Sequence, residues 1–274
     1  MQLAGRTVVI TGSSRGIGYI IAEACAAAGA RVVISSRNHS SVAAAVARLK
    51  YQGYDVTGIP ADVANSEDVN DLLVGAVDTY GRVDVWVNNA GISGGYRTLQ
   101  AVPPDEIREV VGTNLLGTMY ACGFVIPYFL RCGGGIVINV SGKGGSGDAS
   151  AYLASYAATK AAVTSLTRSL AGENRRKPIS INCLFPGIVE TDMWQSIQTC
   201  PETASRVELI PMLIDAWATS PVAVGKTAVK MCAQKPGSNS GKSYHAGSIT
   251  RYLRGPLVFM RYFLSKRFGQ QPPA

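Results

Sequence analysis

Tyr156 and Lys160 stand four residues apart in a stretch of helical spacing, Tyr152–Asn174, and so share one helix face. A free phenol titrates near about 10, too high for easy proton exchange at neutral pH. A neighbouring ammonium favours the phenolate, so Lys160 is expected to pull the Tyr156 value down. A phenol tuned this way can give a proton to a carbonyl oxygen or take one from an alcohol. Tyr152, one turn earlier, has no such partner, because the residue four further on is Tyr156. Two such side chains alone would be an ordinary surface pair; the rest of the chain supplies their setting.

That setting begins at the first apolar run. TVVIT (7–11) reads as a strand and leads through Gly12-Ser13-Ser14-Arg15-Gly16-Ile17-Gly18 into a helical stretch, Ile17–Ala28. A glycine-rich strand-to-helix turn lets backbone approach a pyrophosphate at the positive helix N-terminus. Further strands are expected at 31–36, 56–63, 83–89, 135–141 and 180–187. Helices are expected at Ser41–Gln52, Ser66–Tyr80, twice within Pro104–Leu130, and at Tyr152–Asn174. Near-continuous Val/Ile runs mark strands buried on both faces. Their alternation with helices predicts an α/β fold, a Rossmann-type doubly wound parallel sheet.

The spacing Gly12-x-x-x-Gly16-x-Gly18 resembles that of the short-chain dehydrogenase/reductase family. Further motifs follow in the family's order: Asp62-Val63, Asn88-Asn89-Ala90-Gly91, Asn114, Tyr156-x-x-x-Lys160, and Pro186-Gly187 with Val189 and Thr191. The likeness covers about residues 1–195, and Asn88–Arg97 with the glycine-rich loop after the fifth strand adds a fainter one to chlorophyll b reductase-like members. It implies a nicotinamide cofactor on Gly12, Ser14, Arg15, Gly16, Ile17 and Gly18, with Asp62 and Val63 against adenine. Asn89, Ala90, Gly91, Tyr156, Lys160, Pro186, Gly187, Val189 and Thr191 would complete the cofactor contacts. The implied catalytic set is Asn114, Ser141, Tyr156 and Lys160, with Asn114 in a proton relay and no metal.

The chain departs from the family at the serine. Where two serines often end the fifth strand and the second is catalytic, this sequence has Ser141-Gly142. Ser141 and Ser146 lie fifteen and ten residues before Tyr156, and a bend in the glycine-rich segment could bring either to the substrate. Ser141 is the expected donor. Losing such a donor raises a barrier by ~2.7–4 kcal/mol.

Charge decides the cofactor's type. An NAD site usually carries a carboxylate after the second strand to bind the ribose 2′-OH. Here the residues are Ser35-Ser36-Arg37-Asn38, with no acid. Arg37 can pair with a 2′-phosphate, Ser36 and Asn38 can donate to it, and Arg15 adds a second positive charge. NADP(H) is therefore expected.

The 274 residues are expected to form one oxidoreductase domain over 1–250, with a helical lid at about 192–222 and a C-terminal extension at 251–274. Met193, Trp194, Ile210, Met212, Leu213 and Trp217 would make that lid apolar and suit a hydrophobic carbonyl or alcohol substrate. From Ala216 onward there are nine basic residues and no acidic one, so the net charge of +8 belongs to this tail. Its aromatic, basic segment Leu257–Phe268 fits packing on another subunit or peripheral contact with an anionic membrane. No nucleic-acid module is present in the sequence pattern. Six scattered cysteines suit free thiols. No secretory signal and no run near the ~20 apolar residues of a spanning helix is read. The expectation is a cytoplasmic homodimer or homotetramer, with membrane-peripheral contact as the alternative. A competing reading is an NADP(H)-binding sensor or scaffold with little turnover.

Overall fold

A computed structural model describes residues 1–191 and 197–247. The Val/Ile runs become strands β1 (Thr7–Thr11), β2 (Arg31–Ser35), β3 (Val56–Gly58), β4 (Val85–Asn88), β5 (Gly135–Val140) and β6 (Ile179–Phe185). A seventh, β7 (Ser243–His245), pairs with β6. All neighbours are parallel, in the order β3-β2-β1-β4-β5-β6-β7. The order reverses between β1 and β4, so the connections from their C-terminal ends part to opposite faces and leave a crevice.

Helices α1 (Gly16–Ala27), α2 (His39–Tyr51), α3 (Ser66–Tyr80), α4 (Pro104–Val111), α5 (Gly117–Arg131) and α6 (Ala154–Glu173) alternate with the strands. One core lies under α1 and gathers Val8, Ile10, Ile21, Val32 and Ile34. The other, on the opposite face, gathers Val9, Val33, Leu72, Trp86, Val125, Phe129 and Ile181. Successive β1 residues thus feed opposite cores, which is why TVVIT has no polar alternation.

Several expectations are corrected. The third strand stops at Gly58, leaving Asp62 and Val63 in the following loop. The two stretches in 104–130 join through a π-helical turn, Gly112–Leu116. Together they make a run, Pro104–Arg131, of 28 residues that holds an 18-residue window of mean hydropathy 1.4. By length and composition that run can cross a membrane, contrary to expectation. Half of that window is buried within the protein, as in a core helix. Helix α6 begins at Ala154 rather than Tyr152, because Tyr152 is in the left-handed region at φ 66° and cannot belong to a right-handed helix. The strand β7, Ser-Tyr-His, has no apolar run to reveal it.

The segment after β6 carries α7 (Ala204–Val207) and α8 (Ile210–Trp217), followed by α9 (Pro221–Cys232). Ser220 caps α9, its Oγ accepting from Ala223 N at 3.2 Å. Arg6 closes the other end of α9, donating to the carbonyls of Cys232, Ala233 and Gln234. Helix α9 packs on α1 at Gly225, where an added Cβ would stand 2.7 Å from Ala24 Cβ. Gly225→Val should force the helices apart and lower stability by about 1–3 kcal/mol, read from urea unfolding at unchanged m-value.

Candidate active site

The glycine turn between β1 and α1 has little free space on its inner side. An added Cβ at Gly18 would meet Gly12 O and Asn89 Nδ2, both at 2.4 Å, and one at Gly12 would meet Ala90 Cα at 2.7 Å. The end of β4 is bolted to this turn. Asn89 Nδ2 donates to Thr11 O at 2.8 Å and Gly12 O at 3.0 Å, while Thr11 Oγ1 accepts from the Asn89 and Ala90 amides. The Asn89 side chain is therefore a brace. Arg15, the residue before α1, is extended and exposed. Gly16 faces Thr191, whose Cγ2 would be 3.7 Å from an added Cβ, so the loop after β6 closes one side of the crevice. In that loop Pro186 and Val189 are buried and Gly187 is in the left-handed region at φ 78°.

At the end of β2, the buried Ser36 Oγ has no hydrogen-bond partner. Arg37 is exposed and pairs with Glu109 at 3.2 Å. Asn38 caps α2, its Oδ1 accepting from Ser41 N and Ser40 Oγ. The side-chain oxygen of Asn38 is thus engaged in the helix cap. Sequence reasoning missed Arg48, on α2, whose guanidinium lies 4.7 Å from the Tyr19 ring centre and donates to Ser14 O at 3.2 Å. It lies exposed on α2, and nothing in the sequence pattern singles it out. Asp62 Oδ1 accepts from Ala64 N, and Val63 packs on Gly117.

Asn114 sits in the π turn between α4 and α5 and is buried. Its Oδ1 accepts from Ile92 N at 2.8 Å, and its Nδ2 donates to Ile92 O and Thr159 Oγ1. This amide ties the strand beyond β4 to α6. Between them, a Cβ on Gly91 would stand 3.2 Å from Asn114 Oδ1 and 3.4 Å from Lys160 Nζ. Glycine at 91 thus lets backbone reach the ammonium.

Lys160 is 4% exposed and donates to Val140 O at 3.0 Å. Burial lowers it from 10.5 to about 8, against a small opposing effect of Cys183. Tyr156 keeps some exposure as a residue, yet burial pushes its phenol up to about 12. The expected lowering by Lys160 is therefore corrected. The ammonium is held on the β5 carbonyl, 5.6 Å from the phenol ring centre, and desolvation outweighs it.

Ser141 is buried, with its Oγ 2.9 Å from Thr164 Oγ1 and donating to Lys160 O at 3.3 Å. It faces α6, and Ser146 is exposed. An added Cβ at Gly142 would stand 2.5 Å from Tyr156 Oη, so the phenol fills the space a residue there would need. Gly144 lies flat on α6, with Ala157 Cβ at 2.4 Å from its would-be Cβ, which accounts for the glycine-rich loop.

The fold and this site define a Rossmann-type α/β oxidoreductase. The chain belongs to the short-chain dehydrogenase family, whose sequence model, described as short chain dehydrogenase, matches residues 6–201. It is 32% identical over 266 residues to chlorophyll(ide) b reductase NOL of Arabidopsis thaliana, a chloroplastic protein, across 95% of this chain and 74% of that one. Its fold is similar to actinorhodin polyketide ketoreductase crystallised with NADPH, with 25% identity and a TM-score of 0.76 over 89% of this chain and 96% of that one. A Brucella melitensis 3-ketoacyl-(acyl-carrier-protein) reductase complexed with NADH is similarly close, with 28% identity and a TM-score of 0.77 over 88% of this chain and 96% of that one.

The buried pair has a consequence for stability. Unfolded, Lys160 keeps its proton up to 10.5; folded, it releases it near 8. Between those values the unfolded chain binds more protons, so stability rises with pH; the cost of burying the ammonium is fully present below about 8. Tyr156 acts oppositely, but only from 10.0 to about 12. Between pH 8 and 10 Lys160 should therefore add on the order of 2 kcal/mol to the unfolding free energy, while the thiols of Cys25, Cys122 and Cys183, all held above their ordinary value, take stability away over the same range. Lys160→Met should remove the lysine's part, so the native-minus-variant difference in urea unfolding free energy should grow by that amount from pH 8 to 10, and a difference independent of pH would refute the assignment.

Proposed function

We propose that this protein is an NADP(H)-dependent reductase of a ketone or aldehyde group on a hydrophobic small molecule, or the dehydrogenase of the corresponding alcohol. The observation that carries the reading is the meeting of Tyr156, Lys160, Gly91 and Asn114 beside the glycine turn that opens α1. The turn packs too closely on Asn89 and Ala90 to admit a Cβ at Gly12 or Gly18, its place at the N-terminus of α1 suits a pyrophosphate, and the unpartnered Ser36 Oγ suits a nearby ribose substituent. A nicotinamide dinucleotide bound there would supply hydride, or accept it in the reverse direction.

The chain's own residues would do the rest. Gly12, Ser14, Gly16, Ile17 and Gly18 hold phosphate; Asp62 and Val63 face adenine; Arg15, Ser36 and Arg37, with the amide of Asn38, meet a 2′-phosphate. NADPH and NADH are bound in one similar structure each, so preference for NADP(H) rests on those basic residues and on the lack of an acid after β2. Asn89, Ala90 and Gly91 flank the ribose, and Pro186, Gly187, Val189 and Thr191 flank the nicotinamide. Lys160, next to Gly91, holds the ribose hydroxyls and, once drawn from Val140 O, lowers the Tyr156 phenol. Tyr156 then donates its proton to the carbonyl oxygen. Asn114 fixes Gly91–Ile92 over α6. Ser141, expected as a donor to substrate, is better placed to steady the α6 turn that carries Lys160.

Residues 1–250 read as one domain. The lid reading is supported where its visible part rejoins the body, through the bridges Tyr96–Thr199 and Ile188–Ala218. Of its apolar residues, Met212 is buried and Leu213 exposed, while Met193 and Trp194 lie outside the described residues, as does the 251–274 extension with its membrane reading. A ketoreductase is among the similar structures, and a hydrophobic substrate fits the chlorophyll(ide) b reductase likeness. That relative's chloroplast location lends no support to a cytoplasmic one. The sensor reading is kept alive by Gly142 and by the engaged Ser141 hydroxyl.

Purified protein should consume NADPH with a panel of hydrophobic ketones and aldehydes, and Tyr156→Phe should cut the rate at least a hundredfold. Binding of NADPH without turnover on any member, unaltered by that substitution, would favour the sensor. A homo-oligomer is also proposed, because Leu116, Met119, Phe124 and Leu130 leave an apolar stripe exposed along α5. Phe124→Asp should then reduce the mass seen by sedimentation; an unchanged mass would place the contact elsewhere.

A further inference from the structure

Arg37 and Glu109 come from different walls of one slot. The first wall is the end of β2, where Ser36 O accepts from Ala61 N at 3.2 Å. The second is the loop Asp62–Ala64. The third is α4 with its π turn, packed on that loop where a Cβ on Gly112 would stand 3.7 Å from Ala64 Cβ. Arg37 Nη1 meets Glu109 Oε1 at 3.2 Å, so the ion pair joins the first wall to the third across the second. Both side chains are about half exposed, and the pair can open without disturbing a core.

Three arginines gather at this end of the crevice: Arg15, Arg37 and Arg48. Arg37 alone among them has a carboxylate within ion-pair distance among the described residues. We propose that Glu109 is a specificity-determining residue, a resident carboxylate that competes with the cofactor's 2′-phosphate for Arg37. This rests on the NADP(H) reading above and refines it.

The competition has a direction. A 2′-phosphate carries about −1.5 to −2 charges and must take Arg37 from Glu109 before it can form its own bidentate pair. The displaced carboxylate then stands near a like charge. A cofactor with a plain 2′-hydroxyl leaves the pair closed, and Arg37 is never without a partner. Glu109 thus weakens binding of the phosphorylated cofactor and leaves the other form tolerated. The gate narrows a preference that the three arginines would otherwise make wider.

The test uses the full-length protein and the half-cofactors 2′,5′-ADP and 5′-AMP, titrated calorimetrically at low salt, with the ratio of their dissociation constants as the readout. Glu109→Gln, nearly the same shape, should raise the preference for 2′,5′-ADP roughly threefold, in keeping with a half-exposed pair. Arg37→Gln should lower it roughly tenfold. In the Arg37→Gln background, Glu109→Gln should move the ratio little, since the arginine that both anions seek is gone. Two results would overturn the gate: no change on Glu109→Gln alone, or an equal gain in both backgrounds, which would make the carboxylate a diffuse repulsion. If Arg37→Gln leaves the ratio untouched, or the native protein does not prefer 2′,5′-ADP, the NADP(H) reading itself fails, and the gate with it.

Discussion

Lys160 is a buried cation for which no carboxylate partner exists among the described residues, and much of the site is arranged to make that tolerable. Removing an ammonium from water is costly unless strong acceptors replace the hydration shell. The replacement here is a main-chain oxygen of β5, Val140 O, so the lysine's position is fixed by the sheet rather than by another flexible side chain. Reaching that oxygen requires α6 to lie close over β5. The glycine-rich loop joining them lies flat enough to allow it, and the Ser141–Thr164 contact holds the same turn. The remaining penalty appears as a depressed lysine value, which a polar ligand near Gly91 would relieve.

A second arrangement keeps the two halves of the crevice in register. Trp86 Nε1 donates to Asn88 Oδ1, Asn88 Nδ2 to Asn139 Oδ1, and Asn139 Nδ2 to Thr167 Oγ1. The chain of amides runs through the core from β4 across β5 to α6, each member satisfied by the next. It links the strand that ends in the Asn89 brace to the helix that carries Tyr156 and Lys160. The glycine-turn end and the Tyr156–Lys160 end are thereby tied to each other through the core. The segment between β6 and α9 meets the body through the bridges at Thr199 and Ala218 and lies outside this chain of amides.

Strands with apolar runs, such as TVVIT, were legible because burial on both faces leaves no other composition open to them. The glycine turn and the tyrosine–lysine spacing were legible because backbone approach and helix periodicity have few sequence solutions. β7 was not, since an edge strand of three residues needs hydrogen bonds and hardly any burial. The start of α6 was misread because nothing in a tyrosine announces a left-handed backbone. The fate of Ser141 was illegible for a different reason: a hydroxyl's direction depends on which neighbour offers a partner, and Thr164 is 23 residues away. The phenol's environment likewise depends on which acceptor wins the lysine, and that is a property of the packed core.

Gly142 has an evolutionary consequence. Its φ does not fall in the left-handed region, so the backbone would accept a serine; the obstacle is the phenol oxygen in the adjoining space. A lineage moving between glycine and serine here cannot treat the change as independent of the tyrosine. The ring must first settle elsewhere, or the new side chain arrives against an occupied position. Substitutions at 142 and adjustments around 156 should therefore appear as linked events, with the order of mutation constrained by space rather than by the chemistry each residue performs.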